Sequence, residues 1–155
     1  MTPAAGRPSP SGRPTGRRGA TVSGVPGREP VDATRSLPAT PESIAAARRW
    51  VTAQARAAGA PSRTVSSVVL ATSELVTNAI RHASGTRTVV VTVRGEGGDL
   101  RLEVHDSSGA APRPQSGRAG LPGGHGLHII DAVSGTWGWR PRAGGGKVVW
   151  ARFTW

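Results

Sequence analysis

Glu74 and Asn78 stand four residues apart in the stretch ELVTNAIRH, residues Glu74 to His82. On a helix that spacing puts both side chains on one face. The residues around them, Val65, Val68, Val69, Leu75, Val76, Ala79 and Ile80, are apolar, and a carboxylate is almost never fully buried without a partner. A polar ligand is the partner this pattern suggests. A carboxylate beside a substrate hydroxyl can orient it or take its proton as a general base. A carboxamide oxygen can ligate a hard cation such as Mg²⁺, which keeps several waters and takes its other ligands from phosphates. Asn in mid-helix lowers helix propensity, so Asn78 needs a reason of this kind. The plainer role for Glu74 is an ion pair with Arg81 or Arg48.

Two further groups fit the same chemistry. Asp106 closes the alternating run LRLEVH and opens the turn DSSGAA. A carboxylate there can accept the exocyclic amine of adenine through one directed bond in an otherwise apolar pocket. Alternatively it caps its own turn, as Asp commonly does. In GGHGL, Gly123 to Leu127, the backbone amides of Gly124, Gly126 and Leu127 precede a helix, where amides and the positive helix end can meet phosphates. A lone Gly-x-Gly would mean only a turn. Together the groups suggest a pocket for a nucleotide and its metal, with Asn78 as the magnesium ligand. Phosphoryl transfer asks mainly for charge neutralisation, in-line positioning and a group near the attacking oxygen. His82, His105, His125 and His128 match no zinc spacing, and the chain has no cysteine, so a metal held by histidine is not expected. His82 and His125 fall near the proposed pocket, but surface roles suit both better.

These residues must be positioned by a short list of elements. Val31 to Leu37 reads as an edge strand ended by Pro38. Thr40 as N-cap, Pro41 and Glu42 open a helix whose apolar spacing runs through Ile44, Ala47, Trp50, Val51 and Ala55 to Gly59. Pro61 and Ser62 open a second helix, which carries Glu74 and Asn78 and stops near Ala83. Thr88 to Arg94 and Leu100 to Val104 read as a hairpin across GEGGD. Ser107 to Gly124 is rich in Gly, Pro, Ser and Ala, with Arg113 and Arg118; a segment of that length reads as a lid. A helix from about His125 to Val133 follows, then strands at Trp137 to Arg140 and Lys147 to Trp155. This order predicts an α+β two-layer sandwich, a mixed sheet with helices on one face.

Composition sets the bounds. The chain has 155 residues and a net charge of +11, enough for one domain with an ordinary core. Residues 1 to about 30 are Pro, Gly, Ser, Thr and Arg with almost no large apolar side chain, so a disordered basic tail is expected before a folded unit over 31–155. The basic excess favours anionic partners, but Lys147 is the single lysine, and an Arg- and Ala-rich composition bias explains the charge better. The tail has no aromatic residue for base stacking, so no direct nucleic-acid binding is expected. The sequence has no membrane-length apolar run and no signal-peptide core, so a cytoplasmic protein without a membrane partner is expected. Five of the six aromatics are Trp50, Trp137, Trp139, Trp150 and Trp155. Core packing is their first reading, with Trp139 or Trp155 as the ones suited to a partner surface.

The motifs, in this order, resemble those of the Bergerat-fold (GHKL) ATP-binding proteins, specifically the bacterial anti-sigma-factor serine/threonine kinases. ELVTNAIRH is similar to that family's N box, GGHGLHIIDAVSGTWGW to its second glycine box, and GGGKVVW to its last strand. The resemblance covers roughly Val31 to Trp155. It implies a histidine-kinase-like ATPase fold, ATP and magnesium, and Glu74 as the catalytic base. It further implies transfer of phosphate to a small STAS-type anti-anti-sigma protein and binding of a sigma factor; a homodimer is compatible with it. The sequence departs from the family's DxGxG pattern, with Ser108 in place of the first glycine, Gly109 one place late and Ala110 in place of the second. Two rival readings follow. One is an ATP-binding regulatory switch that binds a protein partner without catalysis, which the altered turn favours. The other is a basic nucleic-acid-binding module, resting on charge alone.

Overall fold

β-Branched residues over 88–93 and the alternation of apolar with polar residues over 100–105 give two strands with a continuous apolar face, and the helices close over that face. The computed structural model describes residues 30–82, 85–112 and 126–155. Its elements are β1 (Val31–Pro38), α1 (Glu42–Ala57), α2 (Ser62–His82), β2 (Thr88–Glu96), β3 (Asp99–Asp106), α3 (Gly126–Val133), β4 (Thr136–Pro141) and β5 (Lys147–Thr154). The expected tail and most of the expected lid, including Arg113, Arg118 and Gly124, lie outside the described residues, as does His125, the expected start of the next helix.

The five strands form one sheet in the order β1-β2-β3-β5-β4. The α+β sandwich with a single helical layer is as expected, but the sheet is antiparallel at every pairing rather than mixed. The connections explain this. A single crossover helix returns the chain for a parallel partner; between β1 and β2 there are two helices, α1 and α2, so β2 enters from the opposite end. Between β3 and β4 one helix does intervene, but β5 inserts between those strands and runs against both. The β2–β3 hairpin turns at Gly97 and Gly98, which have φ of 59° and 87°. A two-residue turn with both central residues at positive φ matches the right-handed twist of its strands.

Val89, Val91 and Val93 of β2 and Leu100, Leu102 and Val104 of β3 make the covered face of the sheet, all fully or almost fully buried. They meet Ala47, Val51 and Ala55 of α1, and Val65, Val68, Ala71, Leu75, Val76 and Ala79 of α2. Burying each Val or Leu is worth about 1.5–3 kcal/mol, so this interlayer seam is what holds α2 in place. The start of α1 differs locally from expectation. Pro41, not Thr40, occupies the cap position, with no side-chain capping bond. Thr40 instead bonds Glu42, which lowers that carboxyl below its ordinary value. Among the described residues, no helix is long and apolar enough to cross a membrane.

Candidate functional site

The candidate residues that the structure describes lie on α2, at the end of β3 and at the start of α3. Only a short loop separates His82, the last residue of α2, from Thr88, the first of β2. Val90 of β2 lies opposite His105 of β3, so the C-terminal end of α2 lies at the Asp106 end of the sheet. A hydrogen bond between the hydroxyls of Thr86 and Ser107 ties that loop to the turn after β3. The third element arrives from the other direction. After α3, Gly135 donates its amide to the carbonyl of Arg152, and Thr136 pairs with Arg152, so α3 ends at the far edge of the sheet.

Each side chain has a distinct setting. Glu74 and Asn78 are both partly buried on α2. Neither Arg48 nor Arg81 pairs with Glu74; among the described residues the ion pairs are made by other acids. Among the described residues, no group of three or more acidic or histidine side chains could hold a metal. Gly126 is the first residue of α3. Leu127 buries its side chain in the core, leaving its backbone amide as the group a ligand could reach.

Asp106 is only 4% exposed. Its Oδ1 accepts the Ser108 amide at 2.8 Å and the Lys147 ammonium at 3.0 Å. The Ser108 hydroxyl in turn accepts the Ala110 amide at 3.2 Å. The DSSGAA turn is therefore organised by side-chain oxygens where glycines were expected, and Asp106 does cap it. Lys147 is itself only 6% exposed. The preceding Gly146 has φ +83°, and a Cβ there would fall on the carbonyl oxygen of Asp106. Glycine at that position is what lets β5 approach closely enough for the ion pair.

Sequence reasoning missed this lysine as a site residue. Its signal was available, since it is the single lysine of an arginine-rich chain and opens the last strand; what the sequence lacked was the register placing it opposite Asp106. A second polar cluster also went unread. On the helix-free face of the sheet, Glu103 is 3% exposed, with Arg101 at 2.8 Å, Arg94 at 3.3 Å, His105 at 3.6 Å and Arg140 at 3.9 Å. Arg101 also lies over the Trp150 ring, 4.3 Å from its centroid. Of the other indoles, Trp137 packs on the core and donates to Asp131, while Trp139 is exposed.

Helices layered on one face of an antiparallel five-stranded sheet make an α+β two-layer sandwich. Residues 37–153 match the model of the histidine kinase-like ATPase domain, and the chain belongs to that family. Among solved structures it is similar to the crystal structure of the RsbU and RsbW domains of Rv1364c from Mycobacterium tuberculosis, with a TM-score of 0.61 and 23% identity. The match covers 80% of this chain and 32% of that one. At this identity the likeness is one of fold. Comparison with curated proteins gives no match.

Proposed function

We propose that the protein is an ATP-dependent serine/threonine protein kinase that acts as an anti-sigma factor and phosphorylates a small STAS-type anti-anti-sigma protein. The observation that carries this reading is that Glu74 and Asn78 stand one turn apart on α2, and the buried Asp106 closes β3, in a chain that belongs to the histidine kinase-like ATPase domain family. The fold shared with the RsbU and RsbW domains of Rv1364c supports it.

In this reading Asp106 meets the adenine amine, and the backbone amides of Gly124, Gly126 and Leu127 meet the phosphates. Asn78 contributes its oxygen to a magnesium ion, which when bound would neutralise phosphate charge. Glu74 receives the proton of the substrate hydroxyl as its oxygen bonds to the γ-phosphorus; the bond to the β-phosphate oxygen breaks and ADP leaves. A sigma factor and a second copy of the chain are the further partners. The second reading, an ATP-binding switch without catalysis, is favoured by the Ser108 turn and the Lys147 ammonium at Asp106.

Calorimetric titration of ATP with and without Mg²⁺, on wild type and Asn78→Ala, tests the site. Magnesium-dependent binding that is lost in Asn78→Ala is expected. Glu74→Ala should bind ATP as wild type does and transfer phosphate at least 100-fold more slowly. Equal transfer by Glu74→Ala would sink the base assignment; binding without transfer in wild type would favour the switch.

A further inference from the structure

Lys147 is buried at the strand end where the proposed base-binding carboxylate lies, and its ammonium bonds Asp106 Oδ1 at 3.0 Å. Oδ1 also accepts the Ser108 amide, so that oxygen is occupied from two sides. Oδ2 takes part in none of the hydrogen bonds among the described residues, and the ammonium has two further protons to donate. Among the described residues the pair therefore offers an acceptor and donors without partners, side by side.

We infer that Lys147 is a specificity-determining residue, and that the Asp106–Lys147 pair accepts purine nucleotides with either an amino group or a keto oxygen at the six-position. The inference rests on the nucleotide-site reading above and deepens it. Adenine presents a donor at that position, and guanine or hypoxanthine an acceptor. A lone buried carboxylate would meet a keto oxygen acceptor to acceptor, and sites that leave buried polar groups unpaired in this way reject the wrong partner by large factors. An ammonium fixed beside the carboxylate changes that balance. It donates to a keto oxygen, while Oδ2 accepts from an amine. Nothing needs to rearrange except the aim of two ammonium protons.

The placement is built in rather than accidental. Lys147 is opposite Asp106 in the β3–β5 ladder, and a side chain at Gly146 would collide with the Asp106 carbonyl. The approach of the two strands thus depends on glycine immediately before the lysine. In a chain with a single lysine, the flexible point charge falls at the one carboxylate proposed to read the base. An arginine fork would impose a fixed planar geometry that a compact ammonium does not.

The test is titration of the full-length protein with ATP and with inosine triphosphate, whose base differs at the six-position and in the ring N1 proton. Dissociation constants within about tenfold of each other are expected for wild type, and in Lys147→Met the preference for ATP over inosine triphosphate should grow at least tenfold. A wild type that prefers ATP by more than tenfold would overturn the inference while leaving the nucleotide site intact, and so would an unchanged ratio in Lys147→Met. A wild type that binds neither nucleotide would overturn the nucleotide-site reading itself, and this inference with it. Removing half of a buried ion pair can unfold a protein; should Lys147→Met not fold, the wild-type ratio decides alone.

Discussion

β3 carries two buried acids, Glu103 and Asp106, three residues apart and therefore on opposite faces of the sheet. Their exposure is nearly the same, 3% and 4%, yet their surroundings differ. Glu103, on the helix-free face, has both oxygens engaged, Oε1 by Arg101 and Oε2 by Arg94, with His105 and Arg140 close by. Asp106, on the helix-covered face, has one cation and one amide on a single oxygen. Burial therefore does not separate a structural acid from a candidate functional one. The distribution of the hydrogen bonds does: both oxygens of Glu103 are engaged, whereas among the described residues Oδ2 of Asp106 has no partner.

If that contrast is right, disturbing Asp106 should affect ligand binding and disturbing Glu103 should affect stability alone. The largest effect is expected from Gly146→Ala. It combines a positive φ with a collision against the Asp106 carbonyl, for about 3 kcal/mol of lost stability. Chemical denaturation would measure that loss, and ATP affinity should fall with it as the strand end moves. Wild-type stability and affinity in Gly146→Ala would show that the β5 approach does not matter to Asp106.

Glu103→Ala should cost less, about 2 kcal/mol. Losing a buried ion-pair partner is strongly destabilising, but the arginines around Glu103 are partly exposed and regain hydration. ATP affinity should be unchanged in this variant. A fall in affinity as large as that in Gly146→Ala would erase the distinction between the two faces.

Acid gives the smallest effect, and its sign can be worked out. Burial, opposed by Glu103 and reinforced by Arg142 and Arg140, holds His105 below the ordinary imidazole range. The unfolded chain therefore takes up that proton first, and stability declines as the pH falls through the unfolded imidazole value of about 6.5. Burial is also the largest single influence on Glu103 and pushes its carboxyl up, but the Arg101 hydrogen bond and the charges of Arg101, Arg94 and Arg140 outweigh it, so the carboxyl is lowered. That contribution is present above the unfolded carboxyl value and is lost as the pH falls through the lower folded one. Thermal melts should thus show Tm falling in two steps, with the upper step absent in His105→Gln. A Tm that stays level from about pH 7.5 to about pH 5 would mean that His105 carries no such penalty.

Most of the fold was legible because its signals are local. The stripe from Val65 to Ile80 marks a helix by its period, and the alternation from Leu100 to His105 marks a strand; α2 and β3 bear out both. The placing of Glu74 and Asn78 on one helix was legible for the same reason. Sheet direction was not, because it depends on how many helices intervene and on β5 inserting between β3 and β4. The start of α1 was misread by one residue, since Pro41 takes the cap position and Thr40 turns to Glu42.

The sequence by itself determined the order and kind of the elements, the apolar faces and the polar pair on α2, all properties of residues within a few positions of one another. Tertiary structure alone decided which groups meet Asp106. Lys147 lies 41 residues away along the chain, and only the β3–β5 register brings the two together. The same register, with period two, sent Glu103 and its arginines to the other face. Which acid has both oxygens engaged and which, among the described residues, has one without a partner was settled by long-range strand pairing, and no local pattern encodes it.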